Sequence, residues 1–213
     1  MKKLAIFGAA MALGLVSAVP AQTVVQDFDA LTAGDSLGGA WRPGYSGTST
    51  VVADATDAES VSDEQAQSGA NSAKLTWTWA AASGGVVRVQ PTTLVETGPT
   101  DHSAEPLFSF AFFGANSGMT IQPYMCDNGN NSGYEAFVNE TTDDSTGWKT
   151  VEYDITTEPV VSWINGDGTL STTCEWCGVF FRQGTSTGLQ TVYIDDIQYS
   201  APAAVENWSV MAY

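Results

Sequence analysis

Carboxylates interrupt strand-like sequence at both ends of this chain. Near the start runs Thr23-Val24-Val25-Gln26-Asp27-Phe28-Asp29, an extended apolar segment that terminates in acid. Near the end runs Thr191-Val192-Tyr193-Ile194-Asp195-Asp196-Ile197-Gln198-Tyr199, a double aspartate among β-branched and aromatic residues. Such residues fit a pleated, half-buried surface where aspartate is depleted, so an aspartate there has a local reason. Calcium supplies one, because it takes about six to eight oxygens from carboxylates and carbonyls. Acids gathered from the first and last strands suggest a calcium that ties the two together.

A second group of residues suits a different chemistry. Side chains alternate across a strand, so residues two apart share a face. Over 119–126, Ile121, Pro123 and Met125 share one face while Gln122, Tyr124 and Cys126 share the other. Val87 and Val89 oppose Arg88 and Gln90, and Val179 and Phe181 oppose Phe180 and Arg182. With the aliphatic sides toward a core, Arg88, Gln90, Gln122, Tyr124, Phe180 and Arg182 point outward. Aromatic rings stack on the C–H face of a pyranose, and Gln and Arg hydrogen-bond its hydroxyls. That mixture is what a sugar-binding sheet face requires, although exposed strand positions also carry Tyr, Gln and Arg for cross-strand pairing. Trp41, Tyr45, Trp163 and Trp176 fall in or beside loops, where they either line a cleft or cap the domain. Trp176 is grouped here with the cleft residues. Two stripes, Leu75-Trp77-Trp79 and Phe108-Phe110-Phe112, read as core.

Catalytic chemistry finds little support. His102 is the only histidine, and no nucleophile elbow accompanies it. Glycoside hydrolysis needs two carboxyls across a cleft. Glu135, Glu140, Glu152 and Glu175 supply candidates with no recognisable motif. The three cysteines, Cys126, Cys174 and Cys177, allow at most one internal disulfide, and the pairing stays open. The Cys174-Glu175-Trp176-Cys177 spacing lacks the βαβ context of a redox motif. A zinc site of three cysteines and His102 requires a distant loop to converge. A structural disulfide is the default in an exported chain.

The elements that must position these residues are strands. Gly- and Asn-rich punctuation recurs, as in Asn128-Gly129-Asn130-Asn131 and Asn165-Gly166-Asp167-Gly168. It separates predicted strands over 23–28, 49–53, 73–80, 85–90, 106–113, 119–126, 133–138, 148–155, 177–183 and 190–199. Many short strands without a sustained helical period predict an all-β protein, a two-sheet antiparallel β-sandwich. Met1-Lys2-Lys3, the apolar run to Val16 and the small residues to Ala21 have the three-part pattern of a cleaved secretory leader. The expected organisation is a leader over 1–21, one sandwich domain over 22–200 and a tail over 201–213. Loss of the leader takes the formal charge from −17 to −19. So acidic a chain repels nucleic acid and anionic lipid, and disfavours an acidic polysaccharide as ligand.

The opening strand, the Gly69-Ala70-Asn71-Ser72-Ala73-Lys74-Leu75 turn, Gly147-Trp148-Lys149-Thr150-Val151 and Tyr193-Ile194-Asp195-Asp196-Ile197 together resemble the calcium-containing jelly-roll carbohydrate-binding modules. The resemblance spans nearly all of the chain after the leader, through short and degenerate motifs. It implies a structural calcium apart from the sugar site, with Asp27, Asp29 and Asp195 as ligands and Asn71 or carbonyls of the 68–71 turn completing the shell. The resulting expectation is a secreted or cell-surface module, or a periplasmic one, that binds a neutral polysaccharide without catalysis and does not insert in a membrane. Two other readings stay open. One is a self-assembling structural subunit of a cell-surface layer, sheath or matrix, and the other a small jelly-roll glycoside hydrolase or lyase.

Overall fold

A computed structural model of the chain describes residues 21–52, 58–80, 82–91, 98–127 and 133–203. The leader expected over 1–21 lies outside them except for Ala21, and the tail lies outside them from Ala204 onward. Among these residues, thirteen strands build two antiparallel sheets. The six-stranded sheet contains β10 (Thr146–Asp154), β6 (Leu107–Ala115), β13 (Leu189–Ser200), β3 (Ser72–Thr78) and β2 (Ala58–Ser62) in that order, and β1 (Gln22–Gln26) also pairs with β13. The seven-stranded sheet runs β11 (Val160–Ser162), β8 (Tyr134–Phe137), β7 (Thr120–Asp127), β12 (Thr173–Arg182), β4 (Val86–Val89). Two short strands complete it, β5 (Thr100–Asp101) on β12 and β9 (Thr141–Thr142) on β7. The expected β-sandwich is what forms. Among the described residues the one helical element is a 3-10 turn over Gly39–Trp41.

Alternation explains the core. Leu75 and Trp77 from β3, Phe108, Phe110 and Phe112 from β6, and Val192 and Ile194 from β13 face inward from one sheet. Val87 and Val89, Ile121 and Met125, Phe137, and Val179 and Phe181 meet them from the other. Both aromatic stripes read from sequence are therefore core, and the Trp77 and Phe181 rings touch across the sheets at 5.4 Å. The lone histidine is also used structurally, since its ring stacks on Tyr199 at 3.5 Å.

The strands that sequence misplaced lie at edges or irregularities. Of the strand expected over 49–53, residue 53 lies outside the described residues and the rest form a single bridge, between Val51 and Trp79. β2 and β11 went unseen because an edge strand contributes few residues to the core, Val61 alone from Ala58–Ser62 being fully buried among apolar ones. β12 starts four residues earlier than expected and carries a bulge between Trp176 and Gly178. A bulge sets two residues against one and breaks the period of two. Trp176 consequently stays on the inward side with Cys174, while the extra residue Cys177 turns outward.

Candidate functional site

The bulge also creates the site. With the count reset, Phe180 and Arg182 face outward beside Arg88 on β4 and Gln122 on β7, because Phe180 pairs with both Arg88 and Gln122. One row further along, Tyr124 pairs with Gly178 on one side and Ala136 on the other. Gly178 has φ 150° and no side chain. A Cβ there would lie 2.1 Å from the Val89 carbonyl oxygen and 2.5 Å from the Tyr124 hydroxyl. The missing side chain lets the Tyr124 ring lie flat across β12 and donate its hydroxyl to the Val89 carbonyl at 3.3 Å. Burial holds that phenol well above its ordinary pKa, so it remains a neutral donor.

A separate cluster forms on this outer face from Tyr124, Cys126, Ala136, Cys177 and Phe180, with Val86, Tyr134 and Trp163 packed over it. Trp163, just past β11, meets Phe180 at 4.8 Å, Tyr124 at 5.4 Å and Tyr134 at 5.6 Å between ring centroids. Beneath them Cys126 and Cys177 form the disulfide, joining β7 to the bulge of β12 with Cα atoms 5.6 Å apart. Cys174 lies in the main core, outside that bridge. With two cysteines joined and His102 stacked on Tyr199, the zinc arrangement does not form.

Polar groups surround the rings. The Arg88 guanidinium lies 4.7 Å from the Trp163 ring centroid and donates to Gln90 Oε1 at 2.8 Å. Gln90 in turn donates to the Tyr134 hydroxyl at 3.3 Å. Arg182 sits 5.4 Å from the Phe180 ring and donates to Gln122 Oε1 at 2.6 Å and to Glu140 Oε1 at 3.0 Å. Gln122 donates to the Phe137 carbonyl at 2.6 Å. Arg88, Gln90, Arg182, Tyr134 and Trp163 are half-buried, so each presents part of its surface to solvent.

The outward set read from sequence thus divides. Arg88, Gln90, Gln122, Tyr124, Phe180 and Arg182 all lie on one outer face, as alternation requires. Tyr124, Phe180 and Gln122 are nevertheless buried, roofed by Trp163 and the arginines, so Tyr124 and Phe180 form a floor and not a stacking surface. Trp176 must be corrected outright. It lies between the sheets, 5.9 Å from Trp41 and 6.2 Å from Phe108, because the bulge preserves its inward phase. Trp41 is core for the same reason of position, and Tyr45 is exposed. Two rings on this face stand outside the sequence-read site set, Tyr134, which is absent from that reading, and Trp163, which it leaves between lining a cleft and capping the domain. The first was recoverable, since an inward Phe137 places Tyr134 outward three residues earlier.

The terminal acids meet in part. Asp29 Oδ1 accepts from the backbone of Ala70 at 2.7 Å and Asn71 at 3.1 Å. Asp195 Oδ2 accepts from Gln67 at 2.8 Å and Ser68 at 3.3 Å. Carboxylates from the two ends of the domain therefore clamp one turn, and Asn71 donates its side-chain amide to the Leu31 carbonyl. A Cβ on Gly69 would overlap the Asp29 carboxylate, so only glycine lets the turn come this close. Burial raises the Asp195 pKa to about 6, against the lowering effect of its backbone donors. Asp27 accepts from the backbone of Asp29 at 3.2 Å. Asp27, Asp29 and Asp195 do not bring three carboxylate oxygens within 4.8 Å of one another, the one such acid or cysteine group among the described residues being Cys126, Glu175 and Cys177. The donor types suit calcium, and Asp29 and Asp195 share a turn as hydrogen-bond partner while Asp27 bonds within its own turn.

The same two-sheet architecture occurs in solved carbohydrate-binding modules. A family 11 module of a cellulosomal cellulase from Clostridium thermocellum matches over 89% of this chain and 99% of that one, with TM-score 0.52 and 15% identity. A family 30 module matches over 93% and 96%, with TM-score 0.53 and 13% identity. No protein-family model and no curated protein matches the sequence. Likeness at this identity establishes the fold, and function has to be argued from the site.

Proposed function

We propose that this protein is an exported, non-catalytic carbohydrate-binding module whose ligand lies on the outer face of the seven-stranded sheet. The observation that carries the reading is the convergence of two half-exposed rings, Tyr134 and Trp163, with the hydrogen-bonding groups of Arg88, Gln90 and Arg182. The rings supply apolar area for the C–H face of a pyranose and the polar groups address its hydroxyls. The buried Tyr124, Phe180, Gln122 and the disulfide beneath hold them in place, which limits the entropy lost on binding. A disulfide on that face supports an oxidising compartment and so export. The strongly acidic chain favours a neutral polysaccharide, of the β-glucan or xylan kind, over an acidic one.

A structural calcium at the Asp29–Asp195 corner is part of the proposal. Its support is the meeting of acids from both ends of the domain on the 67–71 turn. An ion there would join the first strand, the turn and the last strand, and contribute stability without touching the sugar.

Affinity electrophoresis through gels containing soluble neutral glycans tests the function. Retardation that disappears in Trp163→Ala supports this face. No retardation by any glycan of the panel, or retardation that survives Trp163→Ala together with Tyr134→Ala, removes it.

A further inference from the structure

Trp163 lies beyond the end of β11, in a loop that must be held if its ring is to be aimed. The backbone does part of this. Trp163 donates to the Tyr134 carbonyl at 2.9 Å, Tyr134 donates to the Ile164 carbonyl at 3.0 Å, and the Ser162 hydroxyl donates to the Gly166 carbonyl at 2.7 Å. The rest falls to one buried acid. Glu135 lies between Tyr134 and Ala136 on β8 but faces the other way, and it is 1% exposed. Its Oε1 accepts from the backbone of Asp167 at 2.6 Å and Gly168 at 3.0 Å. Asn165 and Gly168 take positive φ, 54° and 84°, which turns the loop's N–H groups onto the carboxylate. A Cβ on Gly166 would lie 2.3 Å from Glu135 Oε1 and 2.6 Å from the Tyr134 carbonyl oxygen, so the loop backbone rests directly on the acid.

The second oxygen, Glu135 Oε2, is buried with no hydrogen-bond partner. A buried carboxylate half-satisfied in this way is costly, and a core position facing Met125 has no need of it. What it supplies is a pair of charge-assisted bonds to a turn, stronger than neutral ones. We infer that Glu135 is the positioning residue for Trp163, fixing the 163–168 loop and through it the ring of the proposed glycan face. The effect on binding rests on the function proposed above, whereas the effect on the ring does not.

Asp143 provides a control within the same fold. It too is buried and accepts from a loop, through the backbone of Ala115, Asn116 and Ser117 and the Ser117 hydroxyl. It lies beside β9, which pairs with the Thr120–Ile121 end of β7, whereas Tyr134 pairs with Cys126 near the opposite end. Losing it should loosen the fold without moving Trp163.

The test uses the full chain labelled with 5-fluorotryptophan, the Trp163 fluorine resonance being assigned through Trp163→Phe. Glu135→Leu should shift or broaden that resonance and leave the other tryptophans in place, and should weaken glycan retardation at least tenfold. Glu135→Gln keeps an oxygen that can accept from Asp167 and Gly168, so the resonance and retardation should stay within threefold of the parent behaviour. Asp143→Asn should leave both unchanged. An unmoved Trp163 resonance in Glu135→Leu, or an equal shift in Asp143→Asn, overturns the assignment. If the parent protein binds no glycan, the proposed function fails while the resonance still decides the positioning role. Should Glu135→Leu not fold, Gly166→Ala lifts the loop off the same carboxylate. A shifted Trp163 resonance there supports the role, and an unshifted one overturns it.

Discussion

Both outer faces of this sandwich carry aromatic residues, yet they are built differently. On the six-stranded sheet Trp148, Phe113, Tyr193 and Lys74 stand in one register row across β10, β6, β13 and β3. Phe113 meets Trp148 at 5.7 Å and Tyr193 at 6.0 Å, both edge to face. The Tyr193 hydroxyl donates to Glu64, which also pairs with Lys74. This row satisfies itself, ring against ring and donor against acceptor, as cross-strand neighbours commonly do. On the seven-stranded sheet the rings are stacked in depth. Tyr124 and Phe180 form a floor, Trp163 and Tyr134 lie above, and two guanidinium groups rest on the rings. Arg88 has no carboxylate partner among the described residues, and its Nε is buried without an acceptor. Aromatic content alone therefore does not distinguish the two faces, whereas the half-exposed, incompletely used donors beside the rings do.

The largest expected effect comes from the covalent bond found on only one of the two faces. Cys126 and Cys177 close a loop with sequence separation 51. Chain-entropy arguments give such a bridge about 4 kcal/mol. Replacing both cysteines by serine should lower the unfolding free energy by about that amount in denaturant titration, and should weaken glycan binding as the floor loosens. A loss under about 1 kcal/mol would mean that the Tyr124–Phe180–Trp163 packing holds the face without its bridge.

The proposed calcium would distinguish the faces in the opposite sense, because Asp195 belongs to the six-stranded sheet. An ion that binds only the folded chain at a hundredfold excess over its Kd adds about 2.7 kcal/mol. Chelation should lower the melting temperature, and Asp195→Ala should abolish most of the difference between chelated and calcium-loaded protein. Glycan retardation of the chelated protein, measured well below its melting point, should be unchanged. Identical melting with and without calcium would leave Asp29 and Asp195 as a clamp on the 67–71 turn and nothing more.

The third contrast is direct. Trp163→Ala should cost on the order of 2 kcal/mol of binding, the range of an aromatic anchor, or roughly thirtyfold in Kd. Trp148→Ala, on the other face, should leave Kd within twofold. Equal losses from the two substitutions would mean that the ligand spans both sheets or that each substitution acts through the fold.

Much of this arrangement was legible in sequence, and the misses have physical causes. Strict alternation in β4, β7 and the last half of β12 put Arg88, Gln90, Gln122, Tyr124, Phe180 and Arg182 on one side, because an apolar inner face fixes register strongly. Alternation says which way a side chain starts, not how far its tip reaches water. Tyr124 starts outward and then lies down in the space that Gly178 vacates, which a single strand cannot reveal. Trp176 was misread because its bulge is defined by pairing with Met125 and Tyr124, two strands' worth of information. Trp163 belongs to a loop held by Glu135 through Asp167 and Gly168, contacts 32 and 33 residues apart in sequence. At the acidic corner, Asp29 and Asp195 each accept from the backbone of the 67–71 turn, whereas Asp27 caps its own turn in the manner aspartates favour.

The smallest expected effect concerns the rim of the proposed site. Arg182 bridges Gln122, which is buried, and Glu140, whose side chain is 31% exposed. An ion pair open to solvent contributes about 0–1 kcal/mol, since water screens the charges and two long side chains lose freedom. Glu140→Gln should therefore change the melting temperature little. It should also leave Arg182 in position, because the bond to Gln122 and the contact with Phe180 remain. Glycan affinity is then expected within threefold of the parent. A tenfold loss would show that the Glu140 carboxylate itself accepts from sugar hydroxyls, extending the binding face past Arg182 toward β9. A gain would mean that Glu140 competes with the ligand for the Arg182 guanidinium, and that the parent protein holds one of its two cations partly in reserve.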